Sequence, residues 1–373
     1  MGDFRNPRGN SEGVIMFNEA PNLVTSQQQR GFILKRRYQR VLLAVVVVIA
    51  AILPFSISQY HIHLFNLALI ASIGALSLNL LTGLTGQVSL GHAAFLAIGA
   101  FSAVIVERMT SVGITLALPV AAIAGGVIGL LVGIPATRFR GMYLAVTTLA
   151  MHYATVFVAK WYQMKLGVSA SEGIVIPSPQ MFGYTLSDDR HWYFVLALMV
   201  GIVMWLFLNI LRSRTGRAWI AIRDRDISAE ALGIDVFKFK LSAFVISSSI
   251  ASFAGALLAY YTKSVSSDTF TFDIAVAYLA MIIIGGMGSP LGAVLGAFFV
   301  TFLPYIVEAA FDFVPVAWKG GGALFGYQLG SVGLCILVFV VFEPRGLVEI
   351  WRRVETYFER WPFRYRALEP NQK

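Results

Sequence analysis

Long apolar segments recur along almost the whole chain and constrain its fold more than any other feature. The hydrocarbon core of a bilayer is roughly 30 Å thick, and a helix of about 20 apolar residues crosses it. Only 13% of the 373 residues are charged, against about 25% in an ordinary soluble domain. We therefore predict an all-α integral membrane protein with about ten transmembrane helices, at about 41–58, 64–81, 93–106, 114–134, 142–159, 192–211, 241–261, 274–284, 290–308 and 325–342.

The basic residues are distributed unevenly between the two sides of such a membrane domain. With ten spans and both termini on the inside, 23 of the 29 Lys and Arg residues fall on inside segments and six on outside segments. An excess of Lys and Arg marks cytoplasmic loops, so we predict cytoplasmic N and C termini and attribute the net charge of +9 to topology rather than nucleic-acid binding. The chain then divides into a polar, basic tail (1–40), a transmembrane domain (41–343) and a C-terminal tail (344–373).

Two Gly-rich stretches interrupt the apolar pattern, TGLTGQVSLGH at 82–92 and GGMGS at 285–289. Non-helical backbone at membrane depth is tolerated only where protein surrounds it or where it lines a water-filled cavity. We therefore predict broken or re-entrant helices here. The same polar side chains could instead join helices by hydrogen bonds, and the sequence leaves both interpretations open. The candidate residues of a solute path are Asn79, Thr85, Gln87, Ser89, His92, Gly285, Gly286 and Gly288.

The longest internal hydrophilic segment, 212–240, lies on the cytoplasmic side in this topology. Its apolar residues recur among charges at spacings that suit one or two short amphipathic helices. Such helices could lie in the lipid headgroup region. They could equally dock into a cleft on a soluble partner, and composition alone does not decide between the two.

Several kinds of chemistry find no support in the sequence. It has no Gly-Lys dipeptide and hence no P-loop, and it has no HExxH, CxxC or GxSxG motif. Cys335 is the single cysteine, which rules out an intrachain disulfide. The predicted spans are almost free of the Asp and Glu that ion-driven carriers use as relays. We therefore expect no enzyme, with no catalytic group, metal site or cofactor on this chain. An ion-driven carrier is disfavoured, although backbone carbonyls could still bind sodium.

Five motifs, in collinear order from about residue 40 to 350, resemble the permease subunits of bacterial branched-chain amino acid ABC transporters of the LivM type. They are LNLLTGLTGQVSLGHAAFLAIGAF (78–101), GIPATRFRGMYLAVTTLAM (133–151), GRAWIAIRDRDISAEALGID (216–235), IIGGMGSPLGAVLGA (283–297) and FEPRGL (342–347). The resemblance implies a multi-pass protein of the bacterial inner membrane. It also implies a related second permease subunit, two cytoplasmic ATPase subunits and a periplasmic solute-binding protein as partners.

The resemblance favours docking for the loop 212–240, because residues 217–235 within it match the family's cytoplasmic coupling segment. The residues that it implies for ATPase coupling are Arg217, Ile222, Arg223, Asp224, Ile227, Ala229, Glu230, Ala231 and Gly233. ATP hydrolysis is then expected on the partner chains. This interpretation also accounts for the missing P-loop.

One loop departs from the family pattern and concerns the solute. Many members carry a double glycine in the outward loop before the sixth span, where this chain reads KLGVSASEGIVIPSP (165–179), which keeps Gly173, Ile176 and Pro177. The expected solute is a branched-chain or other small amino-acid-like molecule. The alternatives are urea, short amides, aromatic or small carboxylates, and a stand-alone carrier or channel.

Overall fold

The structure is a computed structural model that describes residues 48, 50–110, 113–137, 142–169, 172–177, 179–181, 184–186, 188–311, 323–343, 346–350 and 353. The chain forms two compact units, Met1–Leu53 and Pro54–Lys373. In the first unit, residues 48 and 50–53 are helical. The predicted tail at 1–40 lies outside the described residues, as does most of the predicted tail at 344–373.

Helices make up nearly all of the described part of the second unit. A π turn, Asn79–Gly83, continues the first helix to Thr85, and residues 86–91 are then neither helix nor strand before the next helix begins. The helices are α1 (Gln59–Leu78), α2 (His92–Thr110), α3 (Ile114–Ala136), α4 (Met142–Lys165), α5 (Asp189–Arg212), α6 (Arg214–Asp224), α7 (Asp226–Ala231), α8 (Val236–Thr262), α9 (Phe272–Gly285), α10 (Pro290–Phe311) and α11 (Ala323–Phe342).

Helices α1 and α8 form the centre of this bundle. Helix α1 packs against α5, α8, α9 and α10, while α8 packs against α1, α2 and α3. In the most apolar stretch of the span Gln59–Gly83, 89% of the residues are buried within the chain, against 17% for α5. Helix α1 is therefore a core element, and most of α5 is free to face lipid.

Small residues bring the backbones of the central helices close together. A Cβ at Gly99 in α2 would overlap the backbone carbonyl of Ser252 in α8, and a Cβ at Gly255 in α8 would overlap that of Leu96 in α2. Close approach at small residues is a common way for membrane helices to pack. The α2–α8 contact therefore requires glycine on both helices.

Short antiparallel strand pairs lie at the predicted outer end of the helices. β1 (Ile174–Val175) pairs with β4 (Ser264–Val265), and β2 (Gln180–Met181) pairs with β3 (Tyr184–Thr185). The Ile176 N–H donates to the Lys263 carbonyl at 3.0 Å. Gly173 has a positive φ of 72° and lies against Ser264, where a Cβ would overlap the hydroxyl. Gly173 and Ile176 are among the residues that the loop 165–179 shares with the family pattern. They tether this loop to the chain after α8.

Among the described residues, six helices are long and apolar enough to cross a membrane. They run over Gln59–Gly83, His92–Thr110, Ile114–Ala136, Asp189–Arg212, Val236–Thr262 and Pro290–Ala310, and shorter apolar helices cover Phe272–Gly285 and Gly326–Phe339. Helix α4 is not among the six. The all-α membrane architecture is confirmed, whereas the number of ten crossings and the location of the termini stay predictions.

Contacts between distant segments group the predicted inside and outside loops at opposite ends of the bundle. At one end, Gln87 Nε2 donates to the Lys240 carbonyl at 3.2 Å. At the other, the Tyr260 hydroxyl donates to Glu107 Oε2 at 2.8 Å, and Lys160 lies 4.0 Å from Asp268. The alternation of loops that the sequence predicts is therefore compatible with the helix packing.

Candidate functional site

The two Gly-rich breaks meet at one end of the bundle. Asn79, at the start of the π turn, is fully buried, and its side chain binds the backbone of the second break. Its Oδ1 accepts from the Gly288 N–H at 2.8 Å, and its Nδ2 donates to the Ser289 carbonyl at 2.8 Å. A Cβ at Gly83 would overlap Asn79 Oδ1, so the close approach requires glycine there. Single-turn π segments in helices are frequent at functional sites.

The predicted coupling segment reaches the same place through Arg223. This residue lies in the last turn of α6, and its Nη1 donates to the carbonyl of Gly83. Helix α6 is held against α8 by Trp219, which is fully buried and donates from Nε1 to the Phe239 carbonyl at 2.9 Å. Lys240 and Asp226 add an ion pair at 2.6 Å between α8 and α7. The sequence had suggested two separate regions, a path and a docking loop, and the fold places them in contact.

A cavity of about 240 Å³ opens between the first break and the coupling segment. Its lining carries charges of both signs together with the polar residues of the first break. Of the predicted path residues, Thr85 and Gln87 line it, whereas Asn79, Ser89 and His92 do not. The lining residues are Thr85, Gly86, Gln87, Val88, Leu144, Ile222, Arg223, Asp224, Arg225, Asp226 and Lys240.

Helix α4 closes another side of the first break. The Leu90 N–H donates to Thr148 Oγ1 at 3.0 Å. A Cβ at Gly91 would overlap the Thr148 carbonyl, so glycine is required for this approach. The chain after α11 packs on the second break in a similar way, because a Cβ at Gly346 would lie 2.6 Å from the Gly286 nitrogen. Segments of all five motifs therefore meet around the two breaks.

The polar groups of the predicted path residues are largely engaged within the chain. Thr85 Oγ1 donates to the Leu81 carbonyl at 2.6 Å, and Gln87 Nε2 donates to Thr85 Oγ1 at 2.9 Å. His92 Nε2 lies 3.3 Å from Ser77 Oγ, and its ring packs edge-on against Tyr278 at 5.1 Å. The exception is Gln87 Oε1, which is buried and has no hydrogen-bond partner. Hydrogen bonding between helices and segments, the alternative that the sequence left open, thus describes Asn79 and His92 in this conformation, whereas Thr85 bonds within its own turn.

The predicted coupling residues divide into a buried and an exposed group. Ile222 and Ala229 are each 1% exposed and pack inside the chain. Two apolar side chains of this segment are strongly exposed, Ile227 at 74% and Leu232 at 80%. Leu232 was not among the predicted coupling residues, although its place beside Gly233 could have suggested it. The other exposed residues are Arg217, Arg223, Asp224, Glu230, Ala231 and Gly233.

Asp235 caps the start of α8 just after this segment. Its Oδ1 accepts from the Lys238 N–H at 3.1 Å, and its Oδ2 lies 2.9 Å from Lys238 Nζ. The hydrogen bond from the Lys238 side chain, together with the backbone bond, holds the pKa of the Asp235 carboxyl below its usual value. An ionised Asp at an N-cap stabilises a helix start, so the segment between α7 and α8 ends at a defined residue.

Comparison with known proteins gives relatives over most of the chain. The high-affinity branched-chain amino acid transport system permease protein LivM of Salmonella typhimurium is 29% identical over 338 residues, covering 84% of this chain and 76% of that protein. The autoinducer 2 import system permease protein LsrC of Escherichia coli is 26% identical over 320 residues, covering 83% of this chain and 88% of that protein. The fructose import permease protein FruG of Bifidobacterium longum is 28% identical over 284 residues, covering 70% and 75%. No solved structure matches the chain.

The family match spans the elements that build the site. The family described as branched-chain amino acid transport system, permease component, matches residues 60–321. That range includes both Gly-rich breaks, the coupling segment and helix α4. The chain therefore belongs to the family of branched-chain amino acid transport system permease components.

Proposed function

We propose that this chain is the transmembrane permease subunit of an ATP-binding-cassette importer for branched-chain or other small amino-acid-like solutes. The observation that carries the proposal is the meeting of all five motif segments around the broken end of α1. Hydrogen bonds from Asn79 and Arg223 join the path and the coupling segment there. A channel or carrier that works alone would not require an exposed amphipathic segment attached to its path.

The proposal assigns ATP hydrolysis to two partner subunits on the cytoplasmic side. The proposed docking residues are the exposed apolar residues Ile227 and Leu232 and the exposed charges of Arg217 and Glu230, which lie in the same segment. Protein interfaces commonly join an apolar centre to a polar rim. A related permease subunit and a periplasmic binding protein complete the proposed importer.

Movement of the ATPases would reach the path through α6 and α7. Helix α6 contacts the first break at Gly83, and residues of both helices line the cavity beside it. A shift of the coupling segment would therefore change the packing of both breaks, and alternation between two packings is how such a domain exposes a site to either side. The lack of Asp and Glu in most spans agrees with an energy source outside the chain.

The LivM relatives support branched-chain amino acids as the solute class, and the other relatives add further candidate solutes. LsrC and FruG are named for an autoinducer and a sugar, so similarity of this degree does not select one solute. Branched-chain amino acids are the first candidates. Urea, short amides, and aromatic or small carboxylates are the alternatives.

The experiment is reconstitution into proteoliposomes with the second permease, the two ATPases and the binding protein. Labelled leucine should accumulate only when ATP and all partners are present, and an excess of the true solute should compete with it. The same liposomes with this chain alone, under a sodium or proton gradient, are the control. Accumulation in that control would show a stand-alone carrier and overturn the proposal.

A further inference from the structure

Arg223 contacts both breaks at once, although it lies 140 residues from Gly83 in the sequence. Its Nη1 donates to the Gly83 carbonyl at the end of the π turn. A Cβ at Gly288 would lie only 2.7 Å from the same nitrogen, so the guanidinium occupies the space above the second break. One side chain of the last turn of α6 is thus bonded to the end of the π turn and lies against the loop between α9 and α10.

The chemistry of this contact suits a strong link. The carbonyls at the end of a helix lack intrahelical partners and carry the negative end of the helix dipole. An Arg guanidinium is always charged and is weakly hydrated compared with an ammonium. A charged donor makes a stronger hydrogen bond than a neutral one. Arg223 therefore supplies a cation and a donor at the point where the main helix of the bundle is interrupted.

The two breaks are already joined to each other by Asn79. Its side chain bridges the π turn to Gly288 and Ser289 with two bonds of 2.8 Å. Any force on Gly83 is consequently shared by the loop before α10. The single contact from Arg223 of α6 to Gly83 therefore acts on both breaks.

Helix α6 buries two of its large apolar side chains, whereas the large apolar side chains in and just after α7 are exposed. Trp219 and Ile222 are buried against the bundle, at 0% and 1% exposure, and the exposed part of Arg223 borders the cavity. The strongly exposed apolar residues of the segment, Ile227 and Leu232, follow α6 in the chain. The contact with a partner and the contact with the path are therefore made by different parts of one segment.

We infer that Arg223 is a positioning residue that carries movement of the coupling segment to both breaks, and that it makes no contact with the ATPase. This inference rests on the proposed function for its source of energy. It differs from a docking role, in which Arg223 would bind the partner directly. In the inferred arrangement α6 and the two breaks move as one body.

Substitution of Arg223 separates the two roles. In Arg223→Ala, the ATPases should still co-purify with the permease, while solute moved per ATP hydrolysed falls about tenfold, as expected for loss of a charged hydrogen bond. Arg223→Lys keeps the charge and should retain an intermediate ratio. Arg214→Ala, an exposed Arg at the start of the same helix, is the matched control and should keep the normal ratio. Loss of the ATPases from Arg223→Ala, or an unchanged ratio, would overturn the inference.

A covalent link tests the one-body arrangement. A Cβ at Gly86 would lie 4.0 Å from the Cβ of Arg223, within the range of about 3.5–4.5 Å that disulfides prefer. In a Cys335→Ser background, oxidised Gly86→Cys/Arg223→Cys should regain the transport ratio that Arg223→Cys lacks and lose it on reduction. The single Gly86→Cys variant measures any strain from the positive φ of 71° at that residue. An oxidised pair that remains uncoupled, or that is blocked, would contradict movement as one body.

The unaltered importer separates failure of the inference from failure of the proposed function. If the unaltered chain shows no ATP-dependent uptake with its partners, the proposed function fails, and the inference fails with it because its source of energy is that function. If the unaltered importer transports and only the Arg223 results differ from expectation, the proposed function stands and the positioning role is wrong.

Discussion

At the residue scale, the buried polar side chains of this protein mainly join segments of backbone. Asn79 is the clearest case, because it is fully buried and both polar atoms of its side chain have backbone partners in the second break. Its position beside a Gly-rich stretch made it a candidate for the path. The sequence could not show that its partners lie about 210 residues further along the chain, since nothing local specifies them.

Substitution of Asn79 by Asp should therefore affect stability as well as transport. The carboxylate loses the donor to the Ser289 carbonyl and faces that oxygen with a negative charge, at a cost of about 3 kcal/mol. The midpoint of thermal unfolding in detergent should fall, and uptake should fall with it. Gln59→Glu, the same amide-to-carboxylate change at an exposed residue in the first turn of α1, should change stability by less than about 0.5 kcal/mol. Equal stability of the two variants would contradict the bridging role of Asn79.

At the scale of elements, the sequence of the segment α6–α7 mixes apolar residues that the fold buries with apolar residues that it leaves exposed. Trp219 and Ile222 anchor it to the bundle, whereas Ile227 and Leu232 are left exposed. Amphipathic spacing predicted helices here, and the structure has helices at Arg214–Asp224 and Asp226–Ala231. The spacing could not show which apolar residues would be buried against the bundle. Helix α6 packs on the start of α8, and only the folded chain brings these two elements together.

A charge placed on the exposed face should weaken binding of the ATPases. Leu232→Asp puts a carboxylate where an apolar contact is proposed, and we expect at least a tenfold loss of co-purified ATPase, since an unpaired charge buried in an interface costs several kcal/mol. Met109→Asp is matched in exposure, because both residues are 80% exposed, and it lies at the other end of the bundle. It should leave the ATPases bound. Equal yields from the two variants would indicate that α7 does not dock.

At the scale of the whole molecule, the basic residues predict the orientation in the membrane. The Lys- and Arg-rich segment 212–240 lies at one end of the bundle, and the pairs Ile174–Val265 and Lys160–Asp268 lie at the other. The positive-inside rule assigns the first end to the cytoplasm. The helix packing is compatible with that assignment and does not itself distinguish the two sides.

Cysteine labelling can test this orientation. In a Cys335→Ser background, Asp268→Cys should react with an impermeant maleimide in intact cells, because it is exposed at the predicted outer end. Glu230→Cys should react only after the membrane is permeabilised. Labelling of Glu230→Cys in intact cells would reverse the topology, and labelling of neither would place Asp268 away from the outer surface.

The sequence by itself determined the class of the protein, because apolar length and the scarcity of charges select lipid as the solvent and helices as the spanning elements. It also indicated where helices break, since Gly-rich stretches weaken a helix wherever they occur. Only the tertiary structure decided which segments those breaks contact. Gly83, Gly288 and Arg223 come together through close packing of helices distant in sequence, and such contacts depend on how whole elements fit rather than on local propensity. That fit joins the proposed path to the proposed coupling segment in a single site.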